Sequence, residues 1–286
     1  MKTIIRTLGI VLSLTPIFSC GKHSDDSNWD YSGPKLSKVM VWDSTHPLSG
    51  IEIFEFRYDG KNRVTTISHS IGDSANGQIR SMPYDSTQWF YKGNALQPYK
   101  STSNQIYKSY DLYFFYDNQG RLISDSSITN NCNCYYVKKY NWFGNKVITS
   151  GVSGFYSIGT TSPTRDSSII NENNYLATFN ITDPSKNWPG RFYTYDDKIN
   201  PANTMNIHAA TSFTTIGGLP SVGYSKNNAT QITNSAYVPY TANPIGILIA
   251  QTVAYKYNYN ANNLPVDCEV SNNSPHSMRI KFYYSN

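Results

Sequence analysis

The chain predicts an all-β fold: an extended antiparallel meander of repeated hairpins forming one twisted, curled sheet, open or partly closed like a barrel. Three observations predict it. Aromatic residues alternate along short segments, as in Phe54, Phe56 and Tyr58 or Val253, Tyr255, Tyr257 and Tyr259, which places them on one face of a strand. Each segment runs into a short polar stretch with Asp or Asn early and Gly or Asn late, the chemistry of a tight turn. An aliphatic residue then restarts the pattern: Val64, Leu96, Leu122, Val147, Leu176 and Leu264. Helical spacing of 3.6 is hard to find beyond the N-terminal segment.

That segment, MKTIIRTLGIVLSLTPIFSC, has basic Lys2 and Arg6, an apolar stretch from Thr7 to Phe18, and small Ser19. It reads as an export signal, too short for a transmembrane helix. The tetrad Ile17-Phe18-Ser19-Cys20 resembles the lipobox of bacterial lipoproteins, with bulky Phe18 where that motif prefers a small residue. The resemblance implies cleavage before Cys20 and lipidation of its thiol and new α-amine, palmitate among the chains; two or more acyl chains anchor a protein stably. The alternative is an ordinary secretory signal with an incidental cysteine. The domain reading is therefore 1–19 signal peptide, 20–35 lipidated Cys20 and a polar, flexible tether, and 36–286 one β domain. In Bacteroidetes lipoproteins an acidic stretch after the lipidated cysteine resembles a signal for the outer surface, and Asp25 and Asp26 stand there. The expected location is the outer membrane, through the lipid anchor, with exposure at the cell surface.

The repeated units follow in order. FRYDGKNRV (Phe56 to Val64), FYKGNAL (Phe90 to Leu96), FYDNQGRL (Phe115 to Leu122) and YNWFGNKV (Tyr140 to Val147) come first, and looser copies follow at Ile169, Tyr193, Tyr224 and Tyr257. Their turns centre on Asp59, Lys92, Asn118, Trp142, Glu172, Asp197, Lys226 and Asn260, a repeat long enough for two strands and two connections. Gly60, Gly93, Gly120, Gly144, Asn174 and Asn262 are the residues expected to take positive φ. The units resemble the YD repeats of the Rhs family: Tyr116, Asp117, Gly120, Arg121 and Leu122 match the pattern closely, and Tyr58, Asp59, Arg63 and Val64 match with Asn62 in place of Gly. Lipoproteins of Bacteroidetes with such degenerate repeats are similar over the whole chain. In long Rhs proteins the repeats build a β-shell.

Composition narrows the function. Charged residues are 15% of the chain, against a usual value of about 25%, and Asn, Ser, Thr and 24 Tyr take their place. Removing Lys2 and Arg6 lowers the formal charge from +5 to +3, too little and too evenly spread for a nucleic-acid partner. The longest later apolar run, Ile245 to Ala250, is far too short to cross a membrane as a helix. Cys132, Cys134 and Cys268 suggest one long-range disulfide from Cys268 to one of the pair, with a strained Cys132–Cys134 bridge as the alternative. No cofactor, metal-ligand spacing, nucleophile elbow or P-loop is present, and the expected function is non-catalytic.

Tyrosine carries the binding argument. Its ring packs while its hydroxyl stays hydrated, and rows of Tyr and Trp with Asn and Asp suit sugars. The candidate glycan face is Tyr113, Trp142, Tyr193, Tyr195, Tyr255 and Tyr257; the competing reading is cross-strand aromatic pairs that stabilise the sheet. Ser44, Ser74 and Ser86, each after Asp, resemble O-glycosylation acceptors of exported Bacteroidetes proteins. The expectation is a cell-envelope lipoprotein acting as a binding or scaffold module for carbohydrate or an envelope protein. A purely structural lipoprotein is the first alternative and a glycan hydrolase the second.

Overall fold

The computed structural model describes residues 31–47, 49–75, 78–105, 109–129, 134–155, 161–171, 174–181, 190–205, 225–240, 243–272 and 277–285. Cys20, the signal segment and Cys132 lie outside them. Sixteen strands follow one another: β1 (Lys35–Asp43), β2 (Ile51–Tyr58), β3 (Val64–Ala75), β4 (Gln78–Tyr91), β5 (Pro98–Gln105), β6 (Ser109–Tyr116), β7 (Leu122–Thr129), β8 (Cys134–Phe143), β9 (Lys146–Phe155), β10 (Thr161–Asn171), β11 (Asn174–Asn180), β12 (Arg191–Ile199), β13 (Asn227–Tyr240), β14 (Asn243–Tyr259), β15 (Pro265–Ser271) and β16 (Met278–Ser285). One short 3₁₀ turn, Pro201–Met205, is the helical element among the described residues.

Each strand pairs antiparallel with its sequence neighbour, and β1 pairs with β16, Val39 opposite Phe282 and Val41 opposite Ile280, so the meander closes into a barrel. The sheet is thus neither open nor partly closed. Closure removes both edges, and with them the free edge strand that could recruit a partner by β-augmentation.

Strand alternation divides the side chains into two sets. Val39, Val41, Phe54, Phe56, Ile67, Trp89, Leu112, Phe114, Tyr140, Val147, Cys268, Val270, Ile280 and Phe282 share one parity and form the main buried cluster on the inner face. The opposite parity carries charge along the strands: Lys38 opposite Glu55, Lys100 beside Asp111, Lys139, Arg165, Lys256 opposite Glu269, and Asp267 opposite Lys281. Two outer ion pairs are formed across strands, Lys100–Asp111 at 2.9 Å and Arg279–Asp267 at 3.4 Å. Only in the halves of β1 and β2 away from the turn end is the outer parity apolar, where Met40, Ile51 and Ile53 form a small second cluster with Trp42 and Tyr283.

The repeat explains one end of the barrel. The connections β2–β3, β4–β5, β6–β7, β8–β9, β10–β11, β12–β13 and β14–β15 all lie there, the turn end. In the first, Asp59 Oδ1 accepts from the amides of Lys61 and Arg63 at 2.9 and 3.0 Å. Asp117 repeats this with Gln119 and Arg121, and Asn260 with Asn262 and Leu264. The positive φ falls on the fourth residue of each loop, Asn62 (58°), Gly120 (76°) and Asn263 (57°). Gly60, Asn174 and Asn262 therefore do not hold the position expected of them. In these loops the side-chain bond from the first residue sets the count, and the αL residue must come just before the one that re-enters the sheet.

A β-bulge follows most of these turns. The register slips by one residue at Arg57/Tyr58, Phe90/Tyr91, Phe115/Tyr116, Ile169/Ile170 and Asn258/Tyr259. The extra residue lies on the returning strand, while the last aromatic of the incoming strand, two positions after an inner residue, points inward by ordinary alternation and reaches back to the preceding hairpin. Tyr58 donates to the carbonyl of Leu36 (2.7 Å), Tyr91 to Val64 (2.8 Å), Tyr116 to Pro98 (2.9 Å), Trp142 Nε1 to Leu122 (2.9 Å) and Tyr284 to Pro265 (2.8 Å). Each acceptor lies at or next to the first residue of a strand, so neighbouring hairpins are latched at the turn end by one aromatic apiece. The turn arginine supports the latch from outside: Arg63 sits 4.4 Å over the Tyr91 ring and Arg121 5.9 Å over Trp142.

The sixth and seventh sequence copies are the two sides of a single connection. β12 leaves with Asp196 and Lys198, and β13 returns with Asn227 and Asn228, whose side chains bond the carbonyls of Lys198 (3.0 Å) and Ile199 (3.2 Å). Between them the 3₁₀ turn places Met205, 1% exposed, in the main core, and Thr204 Oγ1 accepts from the amide of Leu36 at 3.1 Å. The inward aromatics and Met205 together fill the turn end of the barrel.

Candidate functional site

The candidate aromatics separate into three groups. Tyr193 and Tyr195 on β12 stack at 6.5 Å between ring centroids, and Tyr255 and Tyr257 on β14 at 6.4 Å with planes 13° apart. All four share the inner parity; Tyr193, Tyr195 and Tyr255 meet around Ala229, Ile232 and Tyr175, while Tyr257 packs against the main core. Trp142 also points inward, but as a latch at the turn end. Tyr113 is on the outer face, its ring 5.4 Å below the Lys100 ammonium and its hydroxyl bonded to Asp111 at 3.4 Å. The sequence grouped it with the rest because adjacent Phe114 and alternating Phe115 blur the parity of that strand.

Beside the tyrosine wall lies a polar cluster absent from the sequence candidates. Asp125, fully buried, faces Lys138 across β7–β8 and accepts a hydrogen bond from the Tyr140 hydroxyl. Asp166 faces Thr149 across β9–β10. Burial raises the Asp166 carboxyl above the ordinary carboxylate range, while Lys138, a Thr149 hydrogen bond and Arg191 oppose the rise. Burial also raises the Tyr193 phenol, and neighbouring Arg191 and Thr178 oppose the rise. Burial lifts Tyr136 to about 12, helped by Asp125 and Asp166, and lifts Tyr255 to about 12, helped by Cys268 and Tyr193. The inner wall of β7 to β14 thus offers two carboxylates, two cations and neutral phenols, balanced in charge, next to aromatic faces. That set suits an uncharged, hydroxyl-rich ligand better than an ionic one.

The remaining candidates sit elsewhere. Cys268 is a buried free thiol on the inner face, opposite Tyr257 and Ile280, and burial pushes it up to about 12. The expected bridge from Cys268 is therefore not formed; Cys134 is disulfide-bonded without it. Cys268 stands mid-strand facing the core, out of line with a far-end loop. Ser44 donates to the Ser277 carbonyl at 2.8 Å, half-buried in the β1–β2 turn. Ser74 lies on β3 opposite Ile79, and Ser86 on β4 between Ser68 and Asn104. Asp196 and Asp197 point to opposite sides: Asp196 takes bonds from Asn228 and Tyr259, while the Asp197 side chain is 84% exposed against Lys198. His69, on the inner face toward the other end, stacks on Phe54 at 4.3 Å and pairs with Asp85 at 3.3 Å. No group of three or more His, Cys, Asp or Glu residues suited to a metal occurs among the described residues.

No family model and no curated protein matches the chain. Among solved structures it is similar to a porin-like protein from Bacteroides vulgatus ATCC 8482, with TM-score 0.51 and 13% identity over 88% of this chain and 99% of that one. It is also similar to a porin-like protein from Bacteroides uniformis ATCC 8492, with TM-score 0.47 and 11% identity over 87% and 98% of the two chains. At 13% identity the likeness to the Bacteroides vulgatus protein is one of fold.

Proposed function

We propose that the protein is an exported, lipid-anchored envelope protein whose barrel works in water as a non-catalytic binding or scaffold module, with carbohydrate as its ligand. The observation that carries the binding role is the inner wall: stacked Tyr193–Tyr195 and Tyr255–Tyr257 beside the charge-balanced Asp166, Lys138 and Arg191. Stacking with hydrogen bonding is the chemistry that holds a sugar.

A transmembrane pore is what a sixteen-strand barrel and porin-like neighbours first bring to mind, and the polarity of the wall argues against it. Spanning barrels face lipid with an apolar band about 25 Å tall and keep polar residues inside. Here the outer parity carries Lys38, Arg57, Lys100, Lys139, Arg165, Lys256, Arg279 and Lys281. A cation facing lipid costs about 2 kcal/mol or more at the bilayer midplane and less toward the interfaces, so an outer face with these cations spread along its strands does not make such an apolar band.

A purely structural role is the second reading, favoured by the latches, in which Tyr58, Tyr91, Tyr116 and Tyr284 are architecture. Titration of the purified protein against a panel of neutral oligosaccharides and polysaccharides separates the two. Saturable binding that Tyr193→Ala and Arg191→Gln abolish, and outer-face Tyr113→Ala leaves intact, supports the glycan module. Absence of binding across the panel, in a protein whose fold is verified, moves the assignment to structure.

A further inference from the structure

We propose that the turn end of the barrel lies against a membrane, its outward Phe90, Phe115 and Phe143 seated in an anionic phospholipid headgroup layer with Lys61, Lys92 and Lys146 around them. The aromatics come from the same repeat as the latches. In Phe90–Tyr91, Phe115–Tyr116 and Trp142–Phe143, one ring of each pair turns inward to bond a carbonyl. The other turns outward and stays 37%, 51% and 60% exposed, respectively. The core does not require a large apolar side chain at those outer positions. Of the twelve exposed large hydrophobic residues among the described ones, Phe90, Leu96, Phe115, Ile123, Phe143 and Leu176 all stand within a few residues of a turn at this end. The other six stand toward the opposite end; what sets the turn end apart is that its large exposed rings, Phe90, Phe115 and Phe143, recur at the outer ends of β4, β6 and β8 beside lysines, and exposed large apolar side chains set among polar ones mark an interaction surface.

Charge and chain path choose the partner. The acids of this sector are already committed: Asp59 pairs with Arg63 at 2.6 Å and Asp117 with Arg121 at 2.8 Å. Exposed Lys61, Lys92 and Lys146 remain as net positive charge, with Lys92 over the Tyr99 ring at 5.1 Å and Lys146 opposite Phe143. Aromatic rings with lysines are the composition that settles at a membrane–water interface, and each lysine near an anionic surface is attracted to it. β1 also begins at this end, its Leu36 carbonyl held by Tyr58, so the chain from Cys20 joins the barrel here. Fully extended, Cys20 to Pro34 spans at most about 50 Å. This orientation rests on the lipid-anchor reading, whereas the rim contact rests on the aromatics and lysines alone.

The test uses the full chain with Cys20→Ser, exported and purified, in flotation with vesicles of phosphatidylcholine plus phosphatidylglycerol and of phosphatidylcholine alone. Binding to the mixed vesicles is expected, falling at least about tenfold in Phe90→Ser/Phe115→Ser/Phe143→Ser. Lys61→Glu/Lys92→Glu/Lys146→Glu should remove the preference for phosphatidylglycerol. Phe192→Ser, an exposed aromatic at the opposite end of β12, should leave binding unchanged. Failure of the Cys20→Ser chain to float, or equal flotation of the triple Phe variant with its fold intact, overturns the proposal. So does a dimer that only the triple Phe variant loses, which assigns the rim to a second copy. The anchor is judged separately, by the intact mass of the wild-type chain, so loss of one reading does not disguise loss of the other.

Discussion

Raising the pH should unfold this barrel abruptly near pH 11, and the tyrosines set that limit. Burial raises Tyr58, Tyr91, Tyr116, Tyr175, Tyr193, Tyr195, Tyr255, Tyr257 and Tyr284 above the ordinary phenol value, helped at all but Tyr193 by a neighbouring phenol, thiol or carboxylate. A group whose folded pKa is raised contributes its full stabilisation below the unfolded pKa and loses it as pH rises toward the folded one. The window therefore opens at about pH 10, where an unfolded tyrosine ionises. At pH 11 each phenol kept protonated by the fold costs about 1.4 kcal/mol relative to the unfolded chain. Tyr193 set apart, the other eight together forfeit about 11 kcal/mol there, against a typical stability of about 5–15 kcal/mol.

The assay follows phenolate absorbance near 295 nm and far-ultraviolet circular dichroism on the same samples through an alkaline titration. The inner tyrosines should ionise in one steep step that coincides with loss of the β signal, reversible on rapid return to neutral pH. If every phenol titrates smoothly around pH 10 while the β signal persists, the inner tyrosines are hydrated and the latch account is wrong.

The latch itself is tested by Tyr116→Phe, which strands the Pro98 carbonyl and should cost about 0.5–1.5 kcal/mol, a fall in Tm of roughly 2–4 °C per kcal/mol; Tyr113→Phe on the outer face should be near neutral. Gly120 has φ 76°, and the space a Cβ would enter is open, so Gly120→Ala should lose about 1–2 kcal/mol from backbone strain alone, read by chemical denaturation. Burial raises the Asp117 carboxyl, but bonds from the Arg121 amide and guanidinium outweigh it and leave the group below its ordinary value; its stabilisation is present above about pH 4 and lost as pH falls further, so Asp117→Asn should flatten the acid limb of the stability curve. Buried Cys268 should resist a thiol reagent in the native protein and react at once in denaturant; fast native labelling would show that the inner wall opens.

Much of the fold was legible locally and little of it globally. Alternation in Phe54, Phe56 and Tyr58 put the right residues on the inner face, because strand parity needs only neighbours. Closure depends on Val39 meeting Phe282, a contact between chain ends that no local pattern encodes. The bulges hid the polar cluster. Counting by twos from inward Leu122 places Ser124 inside and Asp125 outside, yet the slip at Phe115/Tyr116 reverses the parity and buries Asp125. A one-residue register change moves every later side chain to the other face. The sixth and seventh copies misled for a related reason: Asn227 and Asn228 start a strand with turn-like residues because they bond the departing strand rather than form a turn.

The latch ties the architecture to its surfaces. A hairpin that must latch its neighbour needs a hydrogen-bonding aromatic inside at the last strand position, and the residue before it then faces out whatever its chemistry. Where that residue is Arg57 or Asn258, the outer rim is polar; where it is Phe90 or Phe115, the rim is apolar. The structural need is met equally by both, so the choice of phenylalanine in successive hairpins is free of the fold. Variation that preserves Tyr91 and Tyr116 but replaces Phe90 and Phe115 should consequently change what the turn end touches without changing how the barrel closes.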